Sequence, residues 1–318
     1  MKGKCSLHGA HVLFIGIGFY DYDQAIVHEL QEQGAHVTYL TEGLNSRLLR
    51  IKSKFIKKYT VSSHHEVLID KLNRDFYDIV FVIKAAYLSP ENMSHLRDTQ
   101  KKARFILYQW DSISRVPNAK LLLNFFDEIY SFDREDCVSY DFKFRPLFFR
   151  NEITHRQYSE KKYDLSFVGW CHDGRGDVVL SIMKFNPWLK FKPYLYASHR
   201  ERLSFLFGAY SHYISTQKIN FDSYVSLSSS SVSVLDVPHR MQSGLTIRAI
   251  ETLGLEVKLV TTNKDIVNYD FFHPQNILVI DRDNPCLDEA FFKTEYLPVS
   301  TDIMKRYSIS GWIVDIFG

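Results

Sequence analysis

The chain has 318 residues, 45% hydrophobic and 24% charged. That length is enough for two domains of ordinary size. Its 39 basic and 37 acidic residues leave a net charge of +2, which argues against a general nucleic-acid binder, because such proteins carry a strong basic excess. Cys5, Cys137, Cys171 and Cys286 are widely spaced and form no C-x-x-C pair. This argues against a zinc site or a disulfide framework and fits reduced thiols in the cytosol. The apolar run before Asp21 is too short for a signal-peptide core or a membrane span, and no later stretch approaches 20 apolar residues. A soluble, cytoplasmic protein with at most peripheral membrane contact is expected.

His11 to Ile17 reads as a buried strand, and Gly16-Ile17-Gly18 as the tight turn that ends it. Asp23 is placed to cap a helix over Gln24 to Gln33, Gly34 stops that helix, and Ala35 to Leu40 is a second strand. The β-α-β unit opens a doubly wound fold. Strands are then expected at Tyr77 to Lys84, Phe105 to Gln109, Glu128 to Phe132 and Arg145 to Phe149. Helices are expected at Pro90 to Lys102 and Asn118 to Phe126, with a short one capped by Asp133. Asn151 to Lys162 is polar and charged and reads as a linker.

After it the layering restarts. Strands are expected at Asp164 to Gly169, Lys190 to Tyr196, Ser231 to Val237, Val257 to Thr261 and Asn276 to Ile280. Helices are expected at Arg175 to Lys184, Phe221 to Ser229, Leu245 to Leu253, Asp288 to Lys293 and Ser310 to Ile316. The fold class is therefore α/β, with two Rossmann-like domains, residues 1–150 and 151–318, facing a central cleft. Ligands of such sheets bind beyond the C-terminal strand ends.

The most informative segment is Leu235 to Asn263, LDVPHRMQSGLTIRAIETLGLEVKLVTTN. A strand runs into Asp236, a loop carries Pro238 and His239, and Gln242-Ser243-Gly244 opens a helix. Backbone N–H groups and the dipole make such a helix start an anion site. Arg248 stands on its first turns, within reach of a diphosphate. Glu251 follows three residues later on much the same face, where a carboxylate can accept from a ribose diol. The bland alternative is an Arg248–Glu251 pair on a solvated face.

The strings QSGLTIRAIETLG, KLVTTN and NYDFFHPQNILVIDR, with YQWDS, SFDREDC and DLSFVGW upstream, resemble a family of bacterial polysaccharide and lipopolysaccharide biosynthesis glycosyltransferases (CgeB-like, glycosyl transferase family 1-like). The resemblance runs from about Gly16 to the C-terminus. It implies a GT-B fold with the donor nucleotide in the C-terminal domain and no metal needed for catalysis. The nucleotide-sugar is then a co-substrate and no cofactor is expected. A glycan or lipid-linked glycan acceptor is implied, as in capsule, lipopolysaccharide or exopolysaccharide synthesis. Glu251 would hold the donor ribose, and Arg248 with the Ser243-Gly244-Leu245 backbone the diphosphate. Gly169 and Arg175 are further donor-side candidates.

Glycosyl transfer needs the negative charge on the leaving phosphate stabilised by Arg, Lys or a helix N-terminus, and inversion needs a base near the acceptor hydroxyl. Asp111 is the first candidate for that base, beside Trp110, whose indole can stack on a sugar. Asp21 is second and His239 third. The alternative for Asp111 is a helix cap. Lys84, ending its strand, is placed to meet an anion. Asp21-Tyr22-Asp23 and Asp281-Arg282-Asp283 match the D-x-D metal motif, a cheap two-letter match, and no metal site is expected. Residues 47–58, RLLRIKSKFIKK, can lie on an anionic membrane or be a solvated face.

Two other functions compete. One is an NAD-dependent oxidoreductase, supported by Gly16-x-Gly18 and by Glu42 after the second strand, but lacking the third glycine, whose place Asp21 takes. The other is a non-catalytic nucleotide- or glycan-binding protein on the same fold.

Overall fold

A computed structural model describes residues 7–18, 21–42, 76–154, 160–199, 201–202 and 211–318. The chain divides into two units, Met1–Pro146 with Ile309–Gly318, and Leu147–Ser308.

The first unit is built on a six-stranded sheet in the order β2-β1-β3-β4-β5-β6, with every neighbouring pair parallel. Its strands are β1 (His11–Gly16), β2 (His36–Thr41), β3 (Ile79–Ile83), β4 (Arg104–Gln109), β5 (Glu128–Ser131) and β6 (Lys143–Phe144). Helices α1 (Tyr22–Glu32), α2 (Pro90–Thr99) and α3 (Arg134–Tyr140) connect them. The central strand β3, IVFVI, is buried throughout. An unbroken apolar run is what a parallel strand covered on both faces requires. Caps set the helix starts: Ser89 accepts from the Asn92 N–H, and Asp133 from those of Glu135 and Asp136.

The second unit repeats the plan, in the order β12-β11-β10-β7-β8-β9, again all parallel. Its strands are β7 (Tyr163–Trp170), β8 (Phe191–Tyr196), β9 (Ile214–Ser215), β10 (Ser231–Asp236), β11 (Lys258–Thr261) and β12 (Ile277–Val279). Its helices are α4 (Asn151–Thr154), α5 (Arg175–Phe185), α6 (Phe221–Ser229), α7 (Ile247–Gly254), α8 (Glu289–Lys293) and α9 (Thr301–Tyr307). Leu165, Phe167, Val179, Ile182, Leu195, Leu235 and Val260 form the centre of its core.

Several elements differ from their sequence expectation. The boundary falls at Pro146–Leu147, and the C-terminal helix α10 (Ile309–Phe317) returns to the first unit. Its apolar face explains why: Ile309, Trp312, Ile313, Ile316 and Phe317 are buried, and the Trp312 ring packs edge-on to Tyr108 at 4.8 Å and to Phe81 at 6.0 Å. Arg104 fastens its end by donating to the carbonyls of Ile316 and Phe317. The strand expected at Arg145–Phe149 is instead Lys143–Phe144, with Phe149 only bridging to Ser308. Asn118–Phe126 winds as two 3-10 turns, Pro117–Leu121 and Leu123–Phe125. The linker begins with the helical turn Asn151–Thr154.

Replacing Trp312 by alanine empties a fully buried site in the first core. It is expected to cost about 3–5 kcal/mol of stability, read by thermal or denaturant unfolding; a loss under about 1 kcal/mol would place the C-terminal helix outside that core.

Candidate functional site

In the second unit Trp170, Tyr196, Asp236, Thr261 and Val279 end their strands along one edge of a parallel sheet. The chemistry gathers there. Asp236 is fully buried. One of its oxygens accepts from Thr246 Oγ1 at 2.7 Å and Arg248 Nη1 at 3.5 Å, the other from Thr261 Oγ1 at 3.3 Å. Thr246 is also the N-cap of α7, accepting from the Ala249 N–H. The helix therefore begins at Ile247, two residues later than the sequence suggested, because the threonine hydroxyl stops the loop there. Ser243, Gly244 and Leu245 lie in the loop before it, and Asn263 holds that loop by donating from Nδ2 to the carbonyls of Ser243 and Gly244.

Arg248 projects from the first turn of α7. Its guanidinium lies over the Phe167 ring at 5.6 Å, and its Nε has no hydrogen-bond partner among the described residues. Gly169 keeps Phe167 in that position, since a Cβ at residue 169 would stand 2.5 Å from the ring. Arg175 opens α5 after Gly174, donates from Nε to the Val237 carbonyl at 2.8 Å and meets His172 Nε2 at 3.3 Å. Burial first, and then the charge of Arg248, pull its guanidinium down to about 10. Arg282 ties two loops of this edge together, donating to the Pro238 carbonyl and to Asp173. Burial works against the ionised form of Asp173. The Arg240 N–H and the charges of His239 and Arg282 outweigh it and hold the carboxyl below its ordinary range. Arg175, Arg248 and Arg282 thus gather around the carboxylates of Asp173 and Asp236, with Arg240 paired to Asp283 beside them.

Glu251 sits one turn beyond Arg248 but is 2% exposed. Its carboxylate bears on the buried Tyr224 phenol of α6; burial first, and then that charge, drive the phenol well above its ordinary range. It is not on a solvated face. His239 lies in the loop after β10, its ring 6.2 Å from that of His172. Asp281 accepts the N–H groups of Asp283 and Asn284 and so closes a turn, which is the local purpose of that D-x-D string. Among the described residues no group of three or more His, Cys, Asp or Glu is arranged to hold a metal. A cavity of about 600 Å3 opens away from this edge, near the start of β11, lined among others by Lys161, Glu256, Lys258 and Tyr296. Lys258 is bound there by the Phe291 carbonyl and by Thr294, and serves packing.

Of the residues expected on the donor side, Arg175 and Arg248 stand at this edge and Glu251 lies buried one turn behind Arg248; Asp236, Asn263 and Arg282, not among those candidates, make the bonds that hold the edge together. The signal for Asp236 was present: an acid ending a buried strand, facing a threonine and an arginine of the next helix start.

The equivalent turn of the first unit is closed by the chain itself. Asp23 is buried, and its Oδ2 accepts from the Gly18 N–H at 2.6 Å and the Tyr39 hydroxyl at 2.7 Å. The same oxygen would lie 2.3 Å from a Cβ on Gly16. Asp23 is thus not the cap foreseen for α1. Asp21 holds the cap position with φ 62°, without a side-chain cap bond. Glu42, the acid expected for a ribose, is fully buried and accepts from the backbone of Tyr87 and Leu88. Asp111 is no helix cap either. Its two oxygens meet Lys84 Nζ and Arg115 Nη1, each at 2.7 Å. Lys84 and Ala85 both have positive φ, 76° and 55°, a strain that concentrates at functional loops. Trp110 is 8% exposed and packs on Tyr22 and Tyr108, so its indole is core rather than a sugar platform. The Tyr22–Trp110 contact brings the neighbourhoods of Asp21 and Asp111 together, whereas His239 belongs to the second unit. Residues 47–58 lie outside the described residues. No described helix is long and apolar enough to cross a membrane.

Comparison of the whole chain with solved structures supplies the fold. The chain is similar to AviGT4, a glycosyltransferase involved in avilamycin A biosynthesis, with TM-score 0.60 and 12% identity over 96% of this chain and 95% of that one. It is similar to the T4 phage enzyme BGT in complex with its UDP-glucose substrate, with TM-score 0.51 and 15% identity over 96% and 98%. It is also similar to the S. aureus MnaA–UDP co-structure, with TM-score 0.52 and 12% identity over 96% and 94%. The fold is GT-B. No protein-family model matches the sequence, and no curated protein matches it.

Burial raises Asp23 above the ordinary carboxylate range against the bonds from Tyr39, Gly18 and Ile17 that lower it. The folded chain then binds this proton more tightly than the unfolded one, so stability contributed here is present at low pH and is lost as pH rises from about 4 toward the raised pKa. Wild type minus Asp23→Asn stability, measured by denaturant unfolding between about pH 3 and 7, should therefore fall with rising pH; a rise would reverse the assignment.

Proposed function

We propose that the protein is a glycosyltransferase that moves a sugar from a nucleoside-diphosphate donor to a glycan acceptor. The observation that carries this reading is the cluster of arginines at one edge of the second sheet. Arg248 and Arg175 converge beside the N-terminus of α7, and a buried Asp236 fixes Arg248 while leaving its Nε unbonded. Guanidinium groups and a helix start together favour a diphosphate, and they stabilise the charge that develops on it as the glycosidic bond breaks. Supplying that charge from arginine supports a metal-independent transfer. Ser243, Gly244 and Leu245 are assigned to the diphosphate, with Gly169 acting through Phe167, and Glu251 to the ribose hydroxyls, which requires its carboxylate to turn from the Tyr224 phenol; His239 is the third choice for the base.

In the first unit Asp111 is the proposed base for the acceptor hydroxyl. Lys84 and Arg115 fix both its oxygens, so one pair must open as the acceptor enters. Asp21 borders the same edge and is the second choice. The similar structures include a DNA-modifying enzyme beside MurG and AviGT4, so the acceptor class rests on the sequence resemblance: a glycan or lipid-linked precursor of capsule, lipopolysaccharide or exopolysaccharide, met in the cytoplasm. An NAD-dependent oxidoreductase is disfavoured by Asp23 and Glu42. A dinucleotide needs the N–H groups of the first turn for its pyrophosphate and an acid for its ribose, and both are spent on internal bonds.

A ligand that binds only the folded chain raises the melting temperature by mass action. Of UDP, GDP, CDP, CMP and NAD(H), one nucleoside diphosphate should stabilise the wild type. Its affinity should fall about tenfold or more in Arg248→Ala, the worth of a hydrogen bond to a charged group. Glu251→Ala should weaken the nucleoside diphosphate but leave inorganic pyrophosphate unchanged. Stabilisation by NAD(H) alone would overturn the proposal. Once a donor is known, Asp111→Asn should lower turnover about a hundredfold or more with donor affinity intact; unchanged turnover would hand the base role to another group.

A further inference from the structure

The turn from α5 into β8 has a composition that neither the core nor the donor edge explains. It reads Lys184-Phe185-Asn186-Pro187-Trp188-Leu189-Lys190-Phe191-Lys192. Phe185 is 49% and Trp188 38% exposed, and Lys184, Pro187, Lys190 and Lys192 are exposed beside them. Two large aromatic side chains stand half-exposed on one turn, flanked by lysines, a pairing suited to contact with another surface.

The turn is rigid. Asn186 is buried within it, donating from Nδ2 to the carbonyls of Ile182 at 2.8 Å and Pro285 at 3.1 Å, and accepting from the Leu287 N–H at 2.9 Å. One edge of the Trp188 ring rests on Phe292, with centroids 5.3 Å apart. The aromatics are therefore presented on a fixed base.

Charge selects the partner. Between Asp177 and Glu201 the chain contains no acidic residue. Lys190 and Lys192 stand two apart along the sequence entering β8, on the same side of the strand, and Lys184 lies at the last turn of α5, its ammonium 6.0 Å from the Phe185 ring. Of the acids nearby, Glu289 pairs with Lys293, while Asp164 accepts the Lys190 N–H and Asp288 caps α8 on the Ala290 N–H, so three lysines stand against two carboxylates that make no ion pair among the described residues.

We infer that the 184–192 turn docks the protein on an anionic lipid bilayer, with Phe185, Pro187 and Trp188 entering the headgroup region and Lys184, Lys190 and Lys192 meeting the lipid phosphates. Indole and phenyl rings beside lysines match an interface that is apolar on one side and anionic on the other. A nucleic acid would use the lysines but leave the aromatic tip unburied. This docking is independent of which donor the second unit binds.

Co-sedimentation of the full chain with vesicles tests it. Binding is expected to phosphatidylglycerol-containing vesicles and not to pure phosphatidylcholine, and to weaken as salt is added. It should fall about tenfold or more in Lys184→Gln/Lys190→Gln/Lys192→Gln, given the attraction each lysine supplies near an anionic surface, and also in Phe185→Ser, with melting temperatures unchanged. Brominated lipid should quench tryptophan fluorescence in the wild type and much less in Trp188→Phe. Absence of binding to anionic vesicles overturns the inference. So does equal binding by the variants, which would move the contact elsewhere, and so does a Phe185-dependent dimer that ignores lipid, which would make a second copy the partner.

Discussion

The carboxylate of Asp236 is the constraint on which the second unit depends. A buried charge is costly unless it is paired and hydrogen-bonded. Asp236 is satisfied from three sides, by the hydroxyls of Thr246 and Thr261 and the guanidinium of Arg248. Those partners come from the neighbouring strand β11 and from the start of α7, the helix that follows Asp236's own strand. A single group thus fixes where α7 begins, which way Arg248 points and how β10 meets β11. The loop bearing Ser243 and Gly244 is held independently by Asn263. Anion-binding groups are worth most when their geometry is set before the ligand arrives, and here the fold sets it.

The first unit solves the same topological problem the other way. Its opening β-α turn has the glycines of a phosphate site, yet Asp23 turns inward and takes up the Gly18 N–H. A carboxylate stands where a phosphate oxygen would. Glu42 does likewise for the loop after β3, whose two left-handed residues, Lys84 and Ala85, persist because the surrounding bonds over-determine them. Asn118 closes that loop from the other side by donating to the carbonyls of Ala85 and Leu88. The first sheet fills the turn with its own side chain, whereas the second leaves the Nε of Arg248 without a hydrogen-bond partner among the described residues; that difference is what the proposed donor site in the second unit requires.

Much of this was legible in the sequence. Apolar runs ended by glycine located β1 and β7, and the layering of strands and helices gave two α/β units. The helix start bearing Arg248 was visible from small residues followed by a periodic apolar face. What local pattern could not give were the long-range partners. Asp23 reads as a cap because Asp before a helix usually is one; its inward turn depends on Tyr39, on another strand. Residues 309–317 follow the second unit in sequence but are apolar on the face that fits Phe81 and Tyr108, strands of the first. Trp110 looked like a sugar platform until Tyr22 and Tyr108 covered it. Arg282 hid inside a string that resembles a metal motif, and only the spatial neighbourhood of Asp173 and Pro238 shows what it holds.

The central claim is that a nucleoside diphosphate sits on the second unit at the edge built around Asp236. Hydrogen–deuterium exchange, recorded with UDP, GDP and CDP added in turn, tests it directly. The nucleotide that binds is expected to slow exchange in 169–176 and 243–252 and to leave 11–18 unchanged. Protection confined to 11–18 and 36–42, with 243–252 unaffected, would contradict it.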